Sequence, residues 1–338
     1  MRPYPVFLIL LILLAACVLP GQGTPIEPPT SALPPEPTLS PTPEIPLVIL
    51  VLPADMPQEQ YDLYQATIYE LAQEAGMRFQ VRNTLAQADL DMERPALKVV
   101  IAFPPDPGLA DLASAAPEVQ FLGVGIPGLT PAANLSLIGA SGSPIDRQAF
   151  LAGYMAAMLA LDYHAGIIYE EDTPNGLAAR DAFINGYHFY CGLCNPAFPP
   201  YYDYPITVKV PPDSAKGQMA GFADILIDRQ VEVAYVHPKI ATPELLDYLA
   251  QYNVKLIGET LPLESLRPNW VASIQPQVIP AIQAIWPDLL AGKGGQEIPM
   301  PLFLTDINPE LLTPGKQRVV EEVLSDLQAG YIGTGLQP

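Results

Sequence analysis

The chain has 338 residues, enough for two domains of ordinary size. It is acidic, with 16 Lys and Arg against 36 Asp and Glu. This balance disfavours nucleic acid and anionic membrane surfaces as partners, because both are bound through basic patches.

The first residues are typical of an export signal. Arg2 supplies a short basic region, and residues 6–14 form an apolar core of signal-peptide length. The sequence Leu14-Ala15-Ala16-Cys17 resembles a bacterial lipobox, in which the Cys thiol is lipidated and becomes the new N-terminus. We predict a signal peptide over residues 1–16 and a lipid anchor on Cys17 at the extracytoplasmic face of the cell membrane. An ordinary cleaved signal and an uncleaved anchor with an incidental Cys17 are the alternatives.

A Pro-rich linker is predicted after the lipidated Cys, over residues 17–46. Residues 20–46 contain ten prolines, with Thr, Ser and Glu between them and few large apolar residues. Such a composition cannot bury a core and favours an extended, disordered spacer.

From Leu47 onward, short apolar runs alternate with helical patterns, which is typical of α/β proteins with parallel sheets covered on both faces. The predicted strands are 47–52, 78–81, 98–103, 119–124, 135–138, 165–169, 206–210, 231–236, 254–257, 271–274 and 298–304. The predicted helices are 57–75, 108–115, 144–162, 174–190, 214–230, 243–252, 277–291 and 314–328.

Eleven strands exceed one ordinary doubly wound sheet, so we predict two doubly wound parallel-sheet lobes joined by crossovers. The division falls near residues 140–143, and the crossovers return part of the later chain to the first lobe. The predicted lobe 1 comprises residues 47–140 with 260–294, and lobe 2 comprises 141–259 with 295–338. Sites in such folds lie in the cleft at the carboxyl ends of the strands.

The helix predicted to begin at Ser143 is apolar on all sides. Pro144 and Asp146 suit the first turn of a helix, and residues 150–161 carry no charge. A helix without a polar face is buried, and about 20 apolar residues are needed to cross a bilayer. We therefore predict a buried helix at the centre of a large α/β protein, with an ordinary core helix in no special position as the alternative.

The remaining cysteines are Cys191 and Cys194, three positions apart. In an exported protein a local disulfide is the favoured interpretation, with free thiols as the alternative. No second C-x-x-C and no His pair accompany them, and His164, His188 and His237 lie far apart, so no metal site is predicted.

No enzyme motif is present in the sequence. The G-x-S-x-G, G-x-x-x-x-G-K-[ST] and G-x-G-x-x-G patterns are absent, and Pro127 makes the glycines at 123–128 a turn. We therefore predict a protein that is not an enzyme and needs no cofactor. The acids at 170–172 follow a predicted strand and are more typical of a solvated loop than of a cation site.

Residues 146–154 (DRQAFLAGY) resemble the acidic-x-x-x-F-L-A-G segment of the basic membrane protein family, the extracytoplasmic binding proteins of certain ABC importers. Three other pieces are similar to that family and follow its order: 179–187 (ARDAFINGY), 254–258 (VKLIG) and 270–274 (WVASI) with the helix after it. The resemblance implies a type I periplasmic-binding-protein fold that closes on a small ligand, with the ABC permease of an importer as its partner.

The resemblance also implies a nucleoside-like ligand, with the base stacked on aromatic rings and the ribose held by Asp and Lys. The sequence departs from this pattern at each polar position. The loop after the first strand is 53–57 (PADMP) in place of a Gly- and Asp-rich loop. Glu259 and Thr260 stand where the ribose-binding acid is expected, and Gln275 stands where the Lys is expected.

Candidate ligand-binding residues follow from the ends of the predicted strands and from the crossover. Phe103 and Tyr169 are candidates to sandwich a flat ligand, and Asp55 and Glu259 are candidates to accept hydrogen bonds from its hydroxyls. The full set is Asp55, Phe103, Ser141, Ser143, Tyr169, Glu170, His237, Glu259 and Gln275. The predicted function is that of a lipid-anchored solute-binding protein, and the alternative is a tethered ligand sensor or scaffold with the same fold and no role in import.

Overall fold

The structure, a computed structural model, describes residues 44–140, 144–214 and 216–336. Lobe 1 is built on a sheet of parallel strands in the order β11-β5-β4-β3-β1-β2. Its strands are β1 (Leu47–Val51), β2 (Arg78–Arg82), β3 (Leu97–Ala102), β4 (Gln120–Val124), β5 (Leu135–Ile138) and β11 (Glu297–Ile298). Its helices are α1 (Gln58–Glu74), α2 (Gln87–Glu93), α3 (Leu109–Ala115) and α8 (Ile279–Leu290).

Lobe 2 is built on a second sheet, in the order β12-β10-β9-β8-β6-β7, in which β12 alone runs antiparallel to its neighbour among the described residues. Its strands are β6 (Ala165–Glu170), β7 (Ile206–Val210), β8 (Val233–Val236), β9 (Lys255–Gly258), β10 (Trp270–Pro276) and β12 (Leu302–Thr305). Its helices are α4 (Ile145–Leu159), α5 (Pro174–Cys191), α6 (Met219–Asp228), α7 (Pro243–Gln251) and α9 (Pro314–Gln328).

The predicted fold class is confirmed: two α/β lobes, each with a parallel sheet covered by helices on both faces. In lobe 1 the two faces of the sheet form separate buried clusters. Val48 and Leu50 lie on one face with Ile282 of α8, whereas Leu47 and Ile49 lie on the other with Leu109 of α3. This alternation follows from the strand, whose successive side chains point to opposite faces.

The crossovers differ from the predicted lobe boundaries. The chain enters lobe 2 between β5 and α4, returns to lobe 1 between β10 and α8, and enters lobe 2 again between β11 and β12. Residues 270–276, predicted in lobe 1, therefore form β10 of the lobe 2 sheet, and Glu297–Ile298, predicted in lobe 2, form an edge strand of lobe 1.

The strand predicted over 298–304 is two strands in different sheets, β11 and β12. Pro299 and Pro301 separate them, and proline has no amide hydrogen to donate to a strand ladder. Helix α2 was not predicted from the sequence. At its start the Asp89 carboxylate accepts from the Ala86 amide at 2.8 Å.

The buried central helix is confirmed as α4, in which most residues from Ile145 to Leu159 are buried. It packs directly against α5 through two glycines. A Cβ on Gly153 would collide with the carbonyl oxygen of Phe183, and a Cβ on Gly186 would collide with that of Phe150. The two backbones therefore approach closely only because both contact positions lack a side chain.

Within the described ranges, no helix has the length and apolar character needed to cross a membrane. Helix α4 is instead enclosed by lobe 2, whose buried cluster contains Phe150 and Met155 of α4, Phe183 of α5 and Tyr235 of β8.

Candidate functional site

A cavity of about 430 Å³ opens between the two lobes, beside the crossover from β10 to α8. Helix α1 supplies its lobe 1 wall, and the residues after β9 supply its lobe 2 wall. The lining residues are Gln60, Leu63, Tyr64, Glu259, Thr260, Gln275, Pro276, Gln277, Val278 and Ile279. This volume lies within the range of ordinary small-molecule sites.

The lobe 1 wall consists of one face of α1. Gln60, Leu63 and Tyr64 are three and four residues apart, a spacing that places their side chains together on a helix. The Tyr64 ring is stacked on Phe103, with ring centroids 4.4 Å apart and an interplanar angle of 21°. Burial raises the pKa of the Tyr64 phenol above its usual value, so the hydroxyl is neutral at physiological pH.

The lobe 2 wall is fixed by Gln148 of α4, which is 1% exposed. Its amide nitrogen Nε2 donates to the backbone oxygen of Ile274 at 2.7 Å and to the carboxylate Oε2 of Glu259 at 3.3 Å. Glu259 directly follows β9, and its half-buried carboxylate is therefore oriented by the rigidly held amide of Gln148.

The crossover side of the cavity carries two side-chain amides. The Nε2 of Gln277 donates to the Oε1 of Gln275 at 3.4 Å. Gln275 lies within β10 and Gln277 just after it, so both side chains stand where the chain leaves lobe 2 for lobe 1.

The cavity can therefore bind a polar molecule with several hydrogen-bond donors. Glu259 is the ionisable carboxylate on its surface, and no Lys or Arg is found among the described residues that line it. The amides of Gln60, Gln275 and Gln277 can each donate or accept. An anionic group would meet a carboxylate here without a compensating cation, which disfavours its binding.

Two of the predicted site residues, Glu259 and Gln275, line this cavity together. Asp55 lies in the exposed turn between β1 and α1 and is not among the lining residues. Phe103 supports Tyr64 from behind and is itself 5% exposed.

The other candidates from lobe 2 do not line this cavity. Tyr169 is 5% exposed, and the Arg180 guanidinium lies 5.8 Å from its ring centroid. In this conformation neither Phe103 nor Tyr169 presents a free ring face for the predicted sandwich. Glu170 accepts from the Thr173 hydroxyl at 3.0 Å and so supports the cap of α5, where Thr173 accepts from Gly176.

His237 is 2% exposed at the end of β8. Its Nδ1 accepts from the Lys239 amide at 3.3 Å, and its Nε2 is buried without a hydrogen-bond partner among the described residues. Desolvation lowers the pKa of the imidazole, an effect partly opposed by the charge of Glu170. Burial thus favours the neutral form of the His237 imidazole.

The predicted residues Ser141 and Ser143 lie outside the described residues, as does the predicted lipidation site Cys17. Cys191 and Cys194 are joined by a disulfide, with Cα atoms 5.2 Å apart. In the part of the chain that the structure describes, no cluster of His, Cys, Asp and Glu has the composition to hold a metal ion.

The face of α1 was missed by the sequence analysis, which took candidates from strand ends and the crossover. The structure marks this face through Leu63, a large apolar side chain that is 51% exposed, between polar and aromatic neighbours at helical spacing. Such a residue on a solvent-facing helix is typical of a binding surface when it borders a cavity.

The fold is that of solved proteins with two such lobes. A solute-binding protein of an ABC transporter system from Aeropyrum pernix K1 matches with a TM-score of 0.50 and 15% identity, over 86% of this chain and 93% of that chain. A transcriptional activator of the comK gene from Bacillus halodurans matches with a TM-score of 0.51 and 13% identity, over 87% of this chain and 99% of that chain.

At these identities the likeness defines a class of fold: two lobes of the type I periplasmic-binding-protein kind. No protein-family model matches the chain, and no curated protein matches it in sequence. The resemblance to the basic membrane protein family is therefore not confirmed.

Proposed function

We propose that this chain is the lipid-anchored, extracytoplasmic solute-binding protein of an ABC importer. The observation that supports it best is the cavity of about 430 Å³ whose walls come from both lobes and from the crossover between them. A ligand in this position touches Tyr64 on one lobe and Glu259 on the other, so it binds best when the lobes are closed.

Closure about the crossovers is the proposed signal to the permease. A ligand shifts the balance between open and closed states only by its difference in affinity for them. Contacts from both lobes provide that difference, whereas a ligand held by one lobe alone would not. The permease then recognises the closed protein with its ligand bound.

The proposed ligand is nucleoside-like, an uncharged ring compound with several hydroxyls. Tyr64 is the aromatic side chain that lines the cavity among the described residues, and it is supported by Phe103. Glu259, Gln275 and Gln277 offer acceptors for hydroxyl hydrogens, replacing the Asp and Lys that the family resemblance implies.

A thermal-shift screen of nucleosides, nucleobases, sugars and amino acids tests the proposal. A ligand at about 100 times its Kd should stabilise the protein by about 2.7 kcal/mol. Glu259→Gln and Tyr64→Ala should abolish or strongly weaken that shift, and the exposed Asp55→Asn variant should preserve it. Flat melting curves across the panel would contradict a solute-binding function.

The proposed membrane anchor is tested separately. Metabolic labelling with a radioactive fatty acid should label the full-length protein, and Cys17→Ser should remove the label and release the protein from the membrane fraction. Membrane retention of an unlabelled Cys17→Ser variant would point to an uncleaved anchor instead.

A tethered ligand sensor is the second candidate, favoured by the missing Asp and Lys and by the occurrence of this fold in a transcriptional activator. The two functions differ in what the closed state contacts. Uptake of a labelled ligand that stops when the gene is deleted favours import, whereas ligand binding without any change in uptake favours sensing.

A further inference from the structure

A loop with several exposed aromatic side chains follows α5 in lobe 2. We call residues 189–204 the aromatic loop; it contains the disulfide and leads into β7. Leu193 is 82% exposed, and Phe198 and Tyr201 are each 71% exposed. Large exposed apolar side chains that are concentrated in one segment are typical of an interaction surface.

The base of the aromatic loop is held firmly to the body of lobe 2. The Tyr204 ring is stacked on His164, with ring centroids 4.5 Å apart. The Asp162 carboxylate accepts from the amides of Ala197 and Phe198 at 2.7 Å each. Because the base is already ordered, the exposed side chains lose little conformational freedom when they bind a partner.

Charge restricts the kind of partner that the aromatic loop can bind. The chain has a formal net charge of −20, yet residues 182–202 contain no Asp, Glu, Lys or Arg. At the base of the loop, the two backbone amides lower the pKa of the Asp162 carboxyl, so this group stays ionised. An anionic partner would be repelled, and a basic partner would find no acid in this stretch, so the loop fits an uncharged surface.

The number of exposed side chains favours a lipid bilayer over a second copy of the chain. Stable protein–protein interfaces use about 20–30 residues on each side. The aromatic loop exposes five large apolar side chains, which are Phe189, Tyr190, Leu193, Phe198 and Tyr201. Tyrosine has an apolar ring and a polar hydroxyl, which together fit the boundary between lipid tails and water.

The predicted anchor leaves the orientation of the folded part open. Residues 18–43 separate Cys17 from Glu44, where the described chain begins, and a segment of that length spans at most about 90 Å. The folded part, by its length, has a radius of gyration of only about 19 Å. Any side of the protein can therefore reach the bilayer, and a contact at one surface selects one orientation.

We infer that the aromatic loop inserts its exposed side chains into the headgroup region of the membrane that carries the lipid anchor. This inference rests on the proposed anchored solute-binding function. A few apolar side chains bind a bilayer weakly and reversibly, but the anchor keeps them beside it at a high effective concentration. The loop precedes the amino end of β7, whereas the inter-lobe cavity lies at the carboxyl end of β9, so the cavity stays open to solvent.

The test uses the full-length lipidated protein in phosphatidylcholine vesicles with brominated acyl chains, which quench tryptophan fluorescence on contact. Trp270 and Trp286 are both buried and give the background signal. Phe198→Trp places a reporter on the aromatic loop. Tyr331→Trp places one at an exposed position after α9, in the segment that Thr334 attaches to the start of α4. The added fluorescence of Phe198→Trp should fall at least twofold relative to unbrominated vesicles, and that of Tyr331→Trp should not change.

A matched pair of substitutions measures the contribution of the loop without the anchor. In the Cys17→Ser background, quenching of Phe198→Trp should need at least tenfold more lipid. Adding Tyr201→Ser should raise the lipid concentration at half-maximal quenching about fivefold further, whereas adding Tyr331→Ser should not change it. Replacing about a third of the lipid with phosphatidylglycerol should weaken the contact, because protein and vesicle are then both negative. Circular dichroism shows whether each variant is folded, and Leu193→Trp replaces Phe198→Trp if the latter is not.

Equal quenching of the two reporters, no quenching of Phe198→Trp at millimolar lipid, or no effect of Tyr201→Ser would overturn the inference. A dimer in sedimentation that Tyr201→Ser dissociates would assign the loop to a contact between copies and would overturn it as well.

Failure of the inference is distinct from failure of the proposed function. If the protein is labelled at Cys17 and binds a ligand of the thermal-shift panel while Phe198→Trp stays unquenched, only the loop contact is excluded. If Phe198→Trp is quenched but no panel compound binds, the loop contact stands and the solute-binding function fails.

Discussion

The ring of Tyr64 is stacked on that of Phe103, with centroids 4.4 Å apart. Tyr64 belongs to α1 and lines the inter-lobe cavity, and Phe103 directly follows β3 in the lobe 1 sheet. The stack therefore fixes the binding face of a helix to the end of a central strand. The ligand wall of lobe 1 is rigid because a buried ring lies behind the ring that faces the cavity.

This stack predicts a graded effect of substitutions at Tyr64. Tyr64→Leu should lower the free energy of unfolding by about 0.5–1.5 kcal/mol beyond the loss of buried area, because it removes an aromatic pair. Tyr64→Phe keeps the pair and should cost under about 0.5 kcal/mol. Urea denaturation without ligand measures both changes.

Tyr61 provides the matched control for the Tyr64 variants. It lies on the same helix and packs against the same cluster, without a ring partner among the described residues. Tyr61→Leu should lower the free energy of unfolding only through the loss of buried surface area. Equal costs for Tyr61→Leu and Tyr64→Leu would mean that the stack with Phe103 adds nothing.

Much of the fold was predictable because its signals are local. The strands at 135–138 and 206–210 and the helix at 314–328 have the predicted bounds, since each is an apolar or periodic stretch ended by turn residues. The assignment of the late strands to lobes was not predictable in this way. Whether β10 pairs with β9 or with a lobe 1 strand depends on contacts between distant segments, which a local pattern does not contain.

Part of the candidate site was also predictable from local signals in the sequence. Glu259 and Gln275 were found because carboxyl ends of parallel strands face the cleft. Tyr169 and His237 also stand at strand ends, yet both are almost fully buried and neither lines the cavity, and only the packed structure shows this. The face of α1 was missed because few of its residues are fully buried, so its sequence does not show which side meets the cavity.

The crossing of α4 and α5 predicts a severe effect for Gly186→Ala. The added methyl would meet the carbonyl oxygen of Phe150, a backbone atom that cannot rotate away. Overpacking of this kind costs about 1–3 kcal/mol, and we expect the upper end because the helices must separate.

Gly221→Ala is the control for Gly186→Ala. Gly221 also lies within a helix, α6, but an added Cβ there meets no atom within 4 Å. Because alanine has the higher helix propensity, Gly221→Ala should stabilise the protein by about 0.5–1 kcal/mol. A Gly186→Ala variant as stable as Gly221→Ala would contradict the close helix contact. Thermal and urea unfolding measure both.

Gln148 predicts a link between stability and the geometry of the ligand wall. Gln148→Leu removes the donor to the Ile274 oxygen and to Glu259, and a buried polar group left without a partner costs about 1–3 kcal/mol. Gln251 makes an exposed bond to Asp247 at 2.7 Å, so Gln251→Leu should cost less than about 0.5 kcal/mol. Gln148→Leu should also weaken ligand binding because Glu259 loses its donor, whereas equal affinity in both variants would assign Gln148 a purely structural role.

His237 predicts a loss of stability in mild acid. Burial lowers the pKa of its imidazole in the folded protein, so as the pH falls below about 6.5 the unfolded chain binds the proton first. The stability contributed by the neutral ring is therefore complete above the unfolded pKa and is lost as the pH falls through the folded pKa. The free energy of unfolding should decrease by up to about 1.4 kcal/mol per pH unit over that interval.

His237→Asn isolates this contribution because the amide oxygen can still accept from the Lys239 amide but does not titrate. Between pH 8 and pH 5 the variant should lose less stability than the wild type. His188→Asn changes an exposed histidine near the end of α5. In this variant the free energy of unfolding should depend on pH as it does in the wild type. Urea denaturation measures the free energy of unfolding at each pH. If it falls equally with pH in His237→Asn and in the wild type, the buried ring does not govern the acid sensitivity of lobe 2.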